Sequence, residues 1–102
     1  MSDVYYTLAC WKVKLDQEQE FIAAWKGLAK IFDRLANKPI SGTLLQSTAD
    51  PTLFYSFGPW KNLADIEAMR KDPESRDGLQ QLMSLCSEAT PGSYKLAAQI
   101  NM

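Results

Sequence analysis

One stretch of the chain carries large apolar residues on both side-chain parities. Residues 53 to 60 read LFYSFGPW, with Phe54 and Trp60 at even positions and Leu53, Tyr55 and Phe57 at odd ones. Successive side chains of a strand point to opposite faces, so a strand of this composition needs cover on both faces. This stretch is therefore predicted to be a central strand.

Three further stretches have strand patterns of different strength. Val4 to Leu15 is apolar on both parities until Lys12 and Lys14, which predicts a second central strand with an exposed end. Residues 41–49 turn polar after two leucines, and residues 93–101 alternate cleanly between apolar and polar positions. A half-exposed pattern of this kind is typical of edge strands.

A long amphipathic helix is predicted between the first two strands. Asp16 and Gln19 have the spacing of a capping box. The apolar stripe that follows consists of Phe21, Trp25, Leu28, Phe32 and Leu35. The Asn-Lys-Pro sequence at residues 37–39 ends the pattern, so this helix is expected to lie on a sheet with one face in water.

The second connection is predicted to hold two shorter helices. Asn62 caps the first, and Asp72 followed by Pro73 begins the second. The second helix is expected to carry Leu79, Leu82, Met83 and Cys86 and to end before the turn signal Pro91-Gly92. The predicted order of elements is therefore β-α-β-β-α-β.

This order predicts a ferredoxin-like α+β fold, with a four-stranded antiparallel sheet and all helices on one face, as one domain over residues 1–102. Right-handed crossovers place the first and third strands in the middle, where both parities are apolar. Because the helices cover one face only, the apolar second face needs another cover. We expect that cover to be a second copy of the chain, in a homodimer.

Composition narrows the classes of partner. Eleven Lys and Arg against twelve Asp and Glu give a net charge of −1, without the basic stripe that nucleic acid requires. No apolar run approaches the roughly 20 residues that cross a bilayer, and no cationic leader opens the chain, so we expect no membrane partner and a cytoplasmic location. Cys10 and Cys86 have no CxxC spacing and are expected to be small buried apolar residues.

The chain lacks the residues that most cofactor-binding sites and activated nucleophiles require. The chain has no histidine, which removes Ser-His and Cys-His nucleophiles, and it has no Gly-rich phosphate loop or Cys/His cluster. We therefore expect no cofactor and no metal.

Taken together, these features resemble the antibiotic biosynthesis monooxygenase-like family of dimeric α+β barrels. The resemblance covers almost the whole chain and rests on Phe21-x-x-x-Trp25, the hairpin strand from Gly42, and the strand ending in Trp60 before an Asn-capped and a Pro-initiated helix. It implies a homodimer and, in the cofactor-independent members, oxygenation of aromatic polyketides.

Most of the family's functional residues are replaced by other residue types in this chain. Heme-degrading members use an Asn, a Trp and a His where this chain has Ala9, Met69 and Leu79. The polyketide oxygenases use an Asn four residues before the strand-end Trp, a Tyr six after it and a later Arg. Here Trp60 is kept, Ser56 and Ile66 stand at the first two places, and Leu79 or Gln80 stands at the third. Arg70 and Arg76 lie nearby as substitutes.

The resemblance therefore implies a pocket with Trp60 and Arg70 as catalytic candidates and Phe54, Ser56 and Ile66 as substrate-binding candidates. Ser56 and the Trp60 indole N–H would donate hydrogen bonds, and Arg70 would favour a phenolate. The predicted function is cofactor-independent monooxygenation of a small aromatic or quinol-like compound. The alternative is a non-catalytic binding or accessory module with the same fold.

Each site candidate also has a structural interpretation. Trp60 can be a packing wedge whose indole N–H is satisfied locally. Arg70 can form an ion pair with Glu67 or Glu74. These alternatives remain open at the level of sequence.

Overall fold

The computed structural model describes residues 4–102, which form four strands and three helices. In chain order these are β1 (Tyr5–Val13), α1 (Glu18–Phe32), β2 (Thr43–Gln46), β3 (Leu53–Trp60), α2 (Leu63–Lys71), α3 (Pro73–Ser84) and β4 (Cys86–Lys95). The sheet has the order β2-β3-β1-β4, and every neighbouring pair is antiparallel. The predicted α+β ferredoxin-like fold, with β1 and β3 in the middle, is confirmed.

The register between β1 and β3 decides which side chains share a face. Trp11 pairs with Phe54 and Ala9 with Ser56, and these residues face the helices. The alternate pairs, such as Cys10 with Tyr55, face the opposite side, where Tyr55 is 43% exposed. Because the side-chain period of a strand is two, this register places the whole even series of β3 on the helix face.

The core lies between the sheet and the helices in two clusters. The larger cluster contains Trp11, Phe21, Phe54 and Leu82, with tilted ring contacts at centroid distances of 5.5 Å (Trp11 to Phe21) and 5.1 Å (Phe21 to Phe54). The smaller cluster joins Trp60 to Ile66 and Met69 of α2. The two clusters fix α1, α2 and α3 against one face of the sheet.

The predicted start of α1 is wrong. Asp16 has a φ of +68°, a left-handed turn conformation, and the cap position falls on Gln17, whose side chain makes no cap hydrogen bond. β1 is tied to β4 beyond its last pair, by the bond from Lys14 N–H to the Leu85 carbonyl. The chain must reverse directly after that bond, and the reversal uses Asp16 as a turn residue.

The other two helix starts are confirmed. The Asn62 side chain accepts a hydrogen bond from the backbone N–H of Asp65 at 3.0 Å. Asp72 accepts from the N–H of Ser75 at 3.0 Å, and Pro73 occupies the first turn of α3. Each cap satisfies a backbone donor that the helix leaves free.

The predicted bounds of the last strand are wrong. β4 begins at Cys86, the residue expected on the helix, and it contains Pro91 and Gly92, which were expected to form a turn. Its length follows β1, because pairing runs from Val13 with Cys86 to Tyr5 with Lys95. A proline is tolerated there since β4 is an edge strand and needs no ladder donor on its open side.

β2 is shorter than expected, because Ser47 and the residues after it form the turn to β3. The Ser47 side chain accepts from the N–H groups of Ala49 and Asp50, both at 3.1 Å.

Among the three helices of residues 4–102, none combines the length and apolar character that a membrane crossing needs.

Candidate functional site

A cavity of about 550 Å³ lies between the helix face of the sheet and the helices. Its floor includes Thr7, Ala9, Ser56 and Gly58 of the two central strands, with Trp11 and Trp60 beside them. Phe32 of α1, Met69 and Arg70 of α2, and Leu79 and Met83 of α3 contribute to its walls. The volume suits a small organic ligand, and the lining is mostly apolar.

Trp60 lies at the end of β3, against α1 and α2. Its ring meets Phe32 edge to face at a centroid distance of 6.0 Å, and the residue is 1% exposed. The indole N–H donates to Thr7 Oγ1 at 3.1 Å. The donor expected to serve a ligand is therefore already used within the protein, as the structural interpretation of Trp60 required.

Ser56 lies on the cavity floor and is half-buried. Its Oγ accepts a hydrogen bond from the indole N–H of Trp11 at 2.9 Å. A serine hydroxyl has one proton to donate and two lone pairs. Its proton is therefore not used in the bond to Trp11.

Arg70 is on the last turn of α2, lines the cavity and is exposed. The expected ion pair with Glu74 is not formed, because Glu74 pairs with Arg34 at 3.1 Å. Within residues 4–102, Arg70 has no ion pair with Glu67 either. Its guanidinium charge is thus not neutralised by a carboxylate at the cavity wall, whereas Arg76 is not part of that wall.

The segment between α1 and β2 closes one side of the cavity with residues 38–42. Lys38 Nζ binds Asp33 Oδ1 at 2.6 Å, and this hydrogen bond holds the pKa of Asp33 below its ordinary value. The backbone N–H of Ile40 donates to the Pro59 carbonyl at 2.9 Å. The segment is therefore held at both the helix and the strand.

Two predicted binding residues lie outside the cavity wall. Phe54 is 1% exposed in the larger core cluster and borders a separate pocket of about 270 Å³ beside Ile22 and Leu44. Ile66 is fully buried behind Trp60 and Met69. The structure thus brings Ser56, Trp60 and Arg70 together around one cavity and places Phe54 and Ile66 behind it.

Sequence reasoning missed Thr7 and the polar role of Trp11. Both belong to the odd series of β1, which is otherwise apolar from Tyr5 to Val13. A hydroxyl within an apolar series was the available signal, because a polar group on a buried face needs a partner. Trp25, interpreted as a core residue, is half-buried and lines the cavity as well.

No group of three or more acidic or cysteine side chains in residues 4–102 is arranged to hold a metal ion. The polar side-chain groups of the cavity include hydroxyls, indole N–H groups, a guanidinium and the Asp33–Lys38 pair at its edge. They can bind and orient an oxygen-bearing ligand and stabilise a negative charge on it.

The sequence model of the antibiotic biosynthesis monooxygenase family matches residues 4–81. Among curated proteins, no sequence matches the chain. The fold is similar to that of SnoaB, a cofactor-independent oxygenase from Streptomyces nogalater crystallised as a mutant, with a TM-score of 0.84 and 17% identity over 97% of each chain.

Two other solved structures are similar. One is a protein from Nitrosomonas europaea described as a putative antibiotic biosynthesis monooxygenase, with a TM-score of 0.77 and 21% identity over 92% of this chain and 90% of that one. The other is protein SO0527 from Shewanella oneidensis, with a TM-score of 0.79 and 18% identity over 94% and 93%. At these identities the structural likeness establishes the fold.

Proposed function

The chain belongs to the antibiotic biosynthesis monooxygenase family. We propose that it is a cofactor-independent monooxygenase acting on a small aromatic or quinol-like compound. The observation that carries the proposal is the cavity of about 550 Å³, apolar on most sides, with Ser56, Trp60 and Arg70 on its wall. A flat aromatic ligand would bury its rings there and direct its oxygen atoms to the polar groups.

The reaction needs little from the protein beyond binding and charge stabilisation. An electron-rich phenol, or the enol of a ketone such as an anthrone, supplies electrons to dioxygen directly once it is deprotonated. In an anthrone, the methylene carbon loses two hydrogens and gains one oxygen atom, and the second oxygen atom leaves as water with both hydrogens. The four electrons that reduce dioxygen all come from that carbon, so no external reductant is consumed.

Arg70 is proposed to favour the ionised substrate. Its positive charge lies at the cavity wall without a carboxylate partner among the described residues. An opposite charge close to a phenol lowers the pKa of that phenol. Trp60 borders the same space, and Phe54 and Ile66 support the wall from behind.

We also propose that the protein works as a homodimer joined through the sheet face opposite the helices. Leu45, Tyr55 and Tyr94 on that face are 53%, 43% and 53% exposed. Leu8 and Phe57 pair between them and are half-buried. An apolar patch of this kind is seldom left in water, and a second copy provides a matching surface.

The proposed compartment is the cytoplasm. Cys10 and Cys86 are both free thiols. Burial raises the pKa of the Cys86 thiol, which keeps it in the less reactive form. Two free cysteines suit a reducing compartment.

Oxygen consumption tests the proposal. Purified protein, treated with a chelator and free of flavin, is mixed with a panel of hydroquinones and anthrones in an oxygen electrode. We expect uptake of one dioxygen per ketone formed from an anthrone, without peroxide. Tight binding of these compounds without oxygen uptake would instead favour the non-catalytic binding module, and no binding of any of them would contradict both functions.

Arg70→Leu should weaken binding of ionised phenols by roughly tenfold, because a charge-assisted contact is lost, and should change the affinity for neutral analogues little. The measurement is a titration of one phenol on both sides of its pKa. Arg76→Leu is the matched control, since Arg76 is an exposed residue of α3 outside the cavity wall. Equal effects on neutral and ionised ligands would argue against the charge role.

A further inference from the structure

Two hydroxyl groups lie side by side on the cavity floor, each held by a tryptophan. Thr7 Oγ1 accepts from the indole N–H of Trp60 at 3.1 Å, and Ser56 Oγ accepts from that of Trp11 at 2.9 Å. Among the described residues, neither hydroxyl donates a hydrogen bond. Each group therefore keeps its single proton available.

The strand register gives these four side chains a fixed order along the sheet. Trp60 pairs with Tyr5, Ser56 pairs with Ala9, and Thr7 and Trp11 lie on β1 itself. Along the β1 direction the order on the helix face is thus Trp60, Thr7, Ser56, Trp11. Each hydroxyl thus has its tryptophan partner on its outer side in this order and the other hydroxyl on its inner side. The space between the two hydroxyls is therefore open to their protons.

The residues paired with the two hydroxyls leave that space open. Thr7 pairs with Gly58, and Ser56 pairs with Ala9. These are the two smallest residue types, and both line the cavity. Larger side chains at either place would cover the hydroxyls.

The spacing also suits a single acceptor atom. Thr7 and Ser56 are diagonal neighbours, whose Cβ atoms are typically somewhat less than about 7–8 Å apart. Each hydroxyl oxygen lies one bond from its Cβ, so one oxygen atom between them can receive both hydrogen bonds at about 2.7 Å. An ionised oxygen gains most from two donors, because hydrogen bonds to charged groups are the stronger ones.

We infer that Thr7 and Ser56 form a two-donor site for the ionised oxygen of the ligand, with Trp60 and Trp11 as positioning residues that orient the hydroxyls. The inference rests on the proposed function, since it requires a phenolate or enolate in the cavity. It reassigns Trp60, because its N–H acts on Thr7 and the ligand receives its hydrogen bond from the Thr7 hydroxyl.

A purely structural role is the competing explanation. Trp11 and Trp60 are 2% and 1% exposed, and a buried indole N–H needs an acceptor whatever the cavity holds. In that case the hydroxyls would matter for stability only. The experiment must therefore measure the ligand itself.

The probe is 4-nitrophenol, whose phenolate absorbs visible light and whose phenol does not. Its apparent pKa when bound is read by titrating pH at saturating protein. In the parent protein we expect this pKa to lie below that of the free dye. Thr7→Val and Ser56→Ala should each raise the bound pKa by about one unit, because each removes one donor to the phenolate. Thr48→Val, an exposed turn residue, is the matched control and should leave it unchanged.

The possible results distinguish failure of the two-donor site from failure of the proposed function. If the parent lowers the dye's pKa and Arg70→Leu alone abolishes the effect, the proposed phenolate pocket stands and the two-donor site is overturned. If Thr7→Val and Ser56→Ala only lower the thermal unfolding temperature, the hydroxyls merely satisfy the indoles, and the site is again overturned. If neither 4-nitrophenol nor an anthrone binds the parent, the proposed function fails and the inference fails with it.

The positioning role of Trp60 is tested by combining a Trp60 substitution with a Thr7 substitution. Trp60→Phe should raise the bound pKa by part of the Thr7→Val shift, because an unheld hydroxyl samples other directions. In the Thr7→Val background, Trp60→Phe should add nothing, as expected for two residues that act as one unit. A further shift in the double variant would assign Trp60 a direct contact with the ligand and overturn its positioning role.

Discussion

At the scale of the residue, the cavity depends on a position without a side chain. A Cβ built on Gly58 would lie 2.3 Å from the Ser41 carbonyl oxygen, which is backbone and has little freedom to move. Ser41 belongs to the segment that closes the cavity, and the neighbouring Ile40 is bonded to Pro59. Gly58 thus allows this segment to cross β3 in direct contact.

Gly58→Ala is predicted to destabilise the fold by about 1–3 kcal/mol, because the crossing segment must shift to avoid the new methyl group. Urea unfolding measures the change. Gly27→Ala is the matched control: it lies inside α1 with nothing within 4 Å of the new Cβ, and it should stabilise by about 0.5–1 kcal/mol. Equal stability of Gly58→Ala and the parent would show that the segment is free to move.

At the scale of the element, the two short helices depend on caps of unequal strength. Asn62 satisfies one backbone N–H of α2. Asp72 Oδ2 accepts from both the N–H and the hydroxyl of Ser75, each at 3.0 Å, and Ser75 is fully buried. Loss of the Asp72 carboxylate would leave a buried hydroxyl without its partner.

Asn62→Ala is predicted to cost about 1 kcal/mol of unfolding free energy, and Asp72→Ala about 2 kcal/mol, since the second adds an unsatisfied buried group to the lost cap. Denaturant titration compares them. Adding Ser75→Ala to Asp72→Ala should recover part of the loss, because both partners of the side-chain bond are then absent. Without such recovery, the difference between the two caps would need another cause.

At the scale of the whole molecule, the helices of residues 4–102 leave one sheet face without cover. The helices pack on the face of Trp11 and Phe54, whereas Tyr55 on the other face is 43% exposed. The proposed dimer would bury this face against its own copy.

Tyr55→Glu should weaken the dimer by roughly hundredfold or more, because the symmetry of the interface buries an unpaired carboxylate twice. Sedimentation at micromolar concentration should find the parent with the mass of two chains and the variant with a smaller average mass. Leu15→Glu is the control: Leu15 is 76% exposed and lies after the end of β1. A folded parent monomer at this concentration would contradict the dimer.

Sequence pattern and the connection rules were sufficient to predict the sheet order, the central strands, the amphipathic helices and two of the three caps. These features depend on local pattern, since apolar residues on both parities mark Leu53–Trp60 as central, and Asn62 and Asp72 cap within three residues along the chain. It also predicted that Ser56, Trp60 and Arg70 are neighbours, through the resemblance to the family.

The hydrogen-bond partners in the cavity and the ends of β4 depend on how the strands pair and pack. The bonds of Trp60 to Thr7 and of Trp11 to Ser56 join residues 53 and 45 positions apart, and they exist only because β1 and β3 pair in one register. The local sequence at Pro91 indicates a turn. Pro91 nevertheless lies in a strand, because β4 pairs with β1 along the whole length of β1. Contacts between residues distant in the chain are set by packing, so no local pattern contains them.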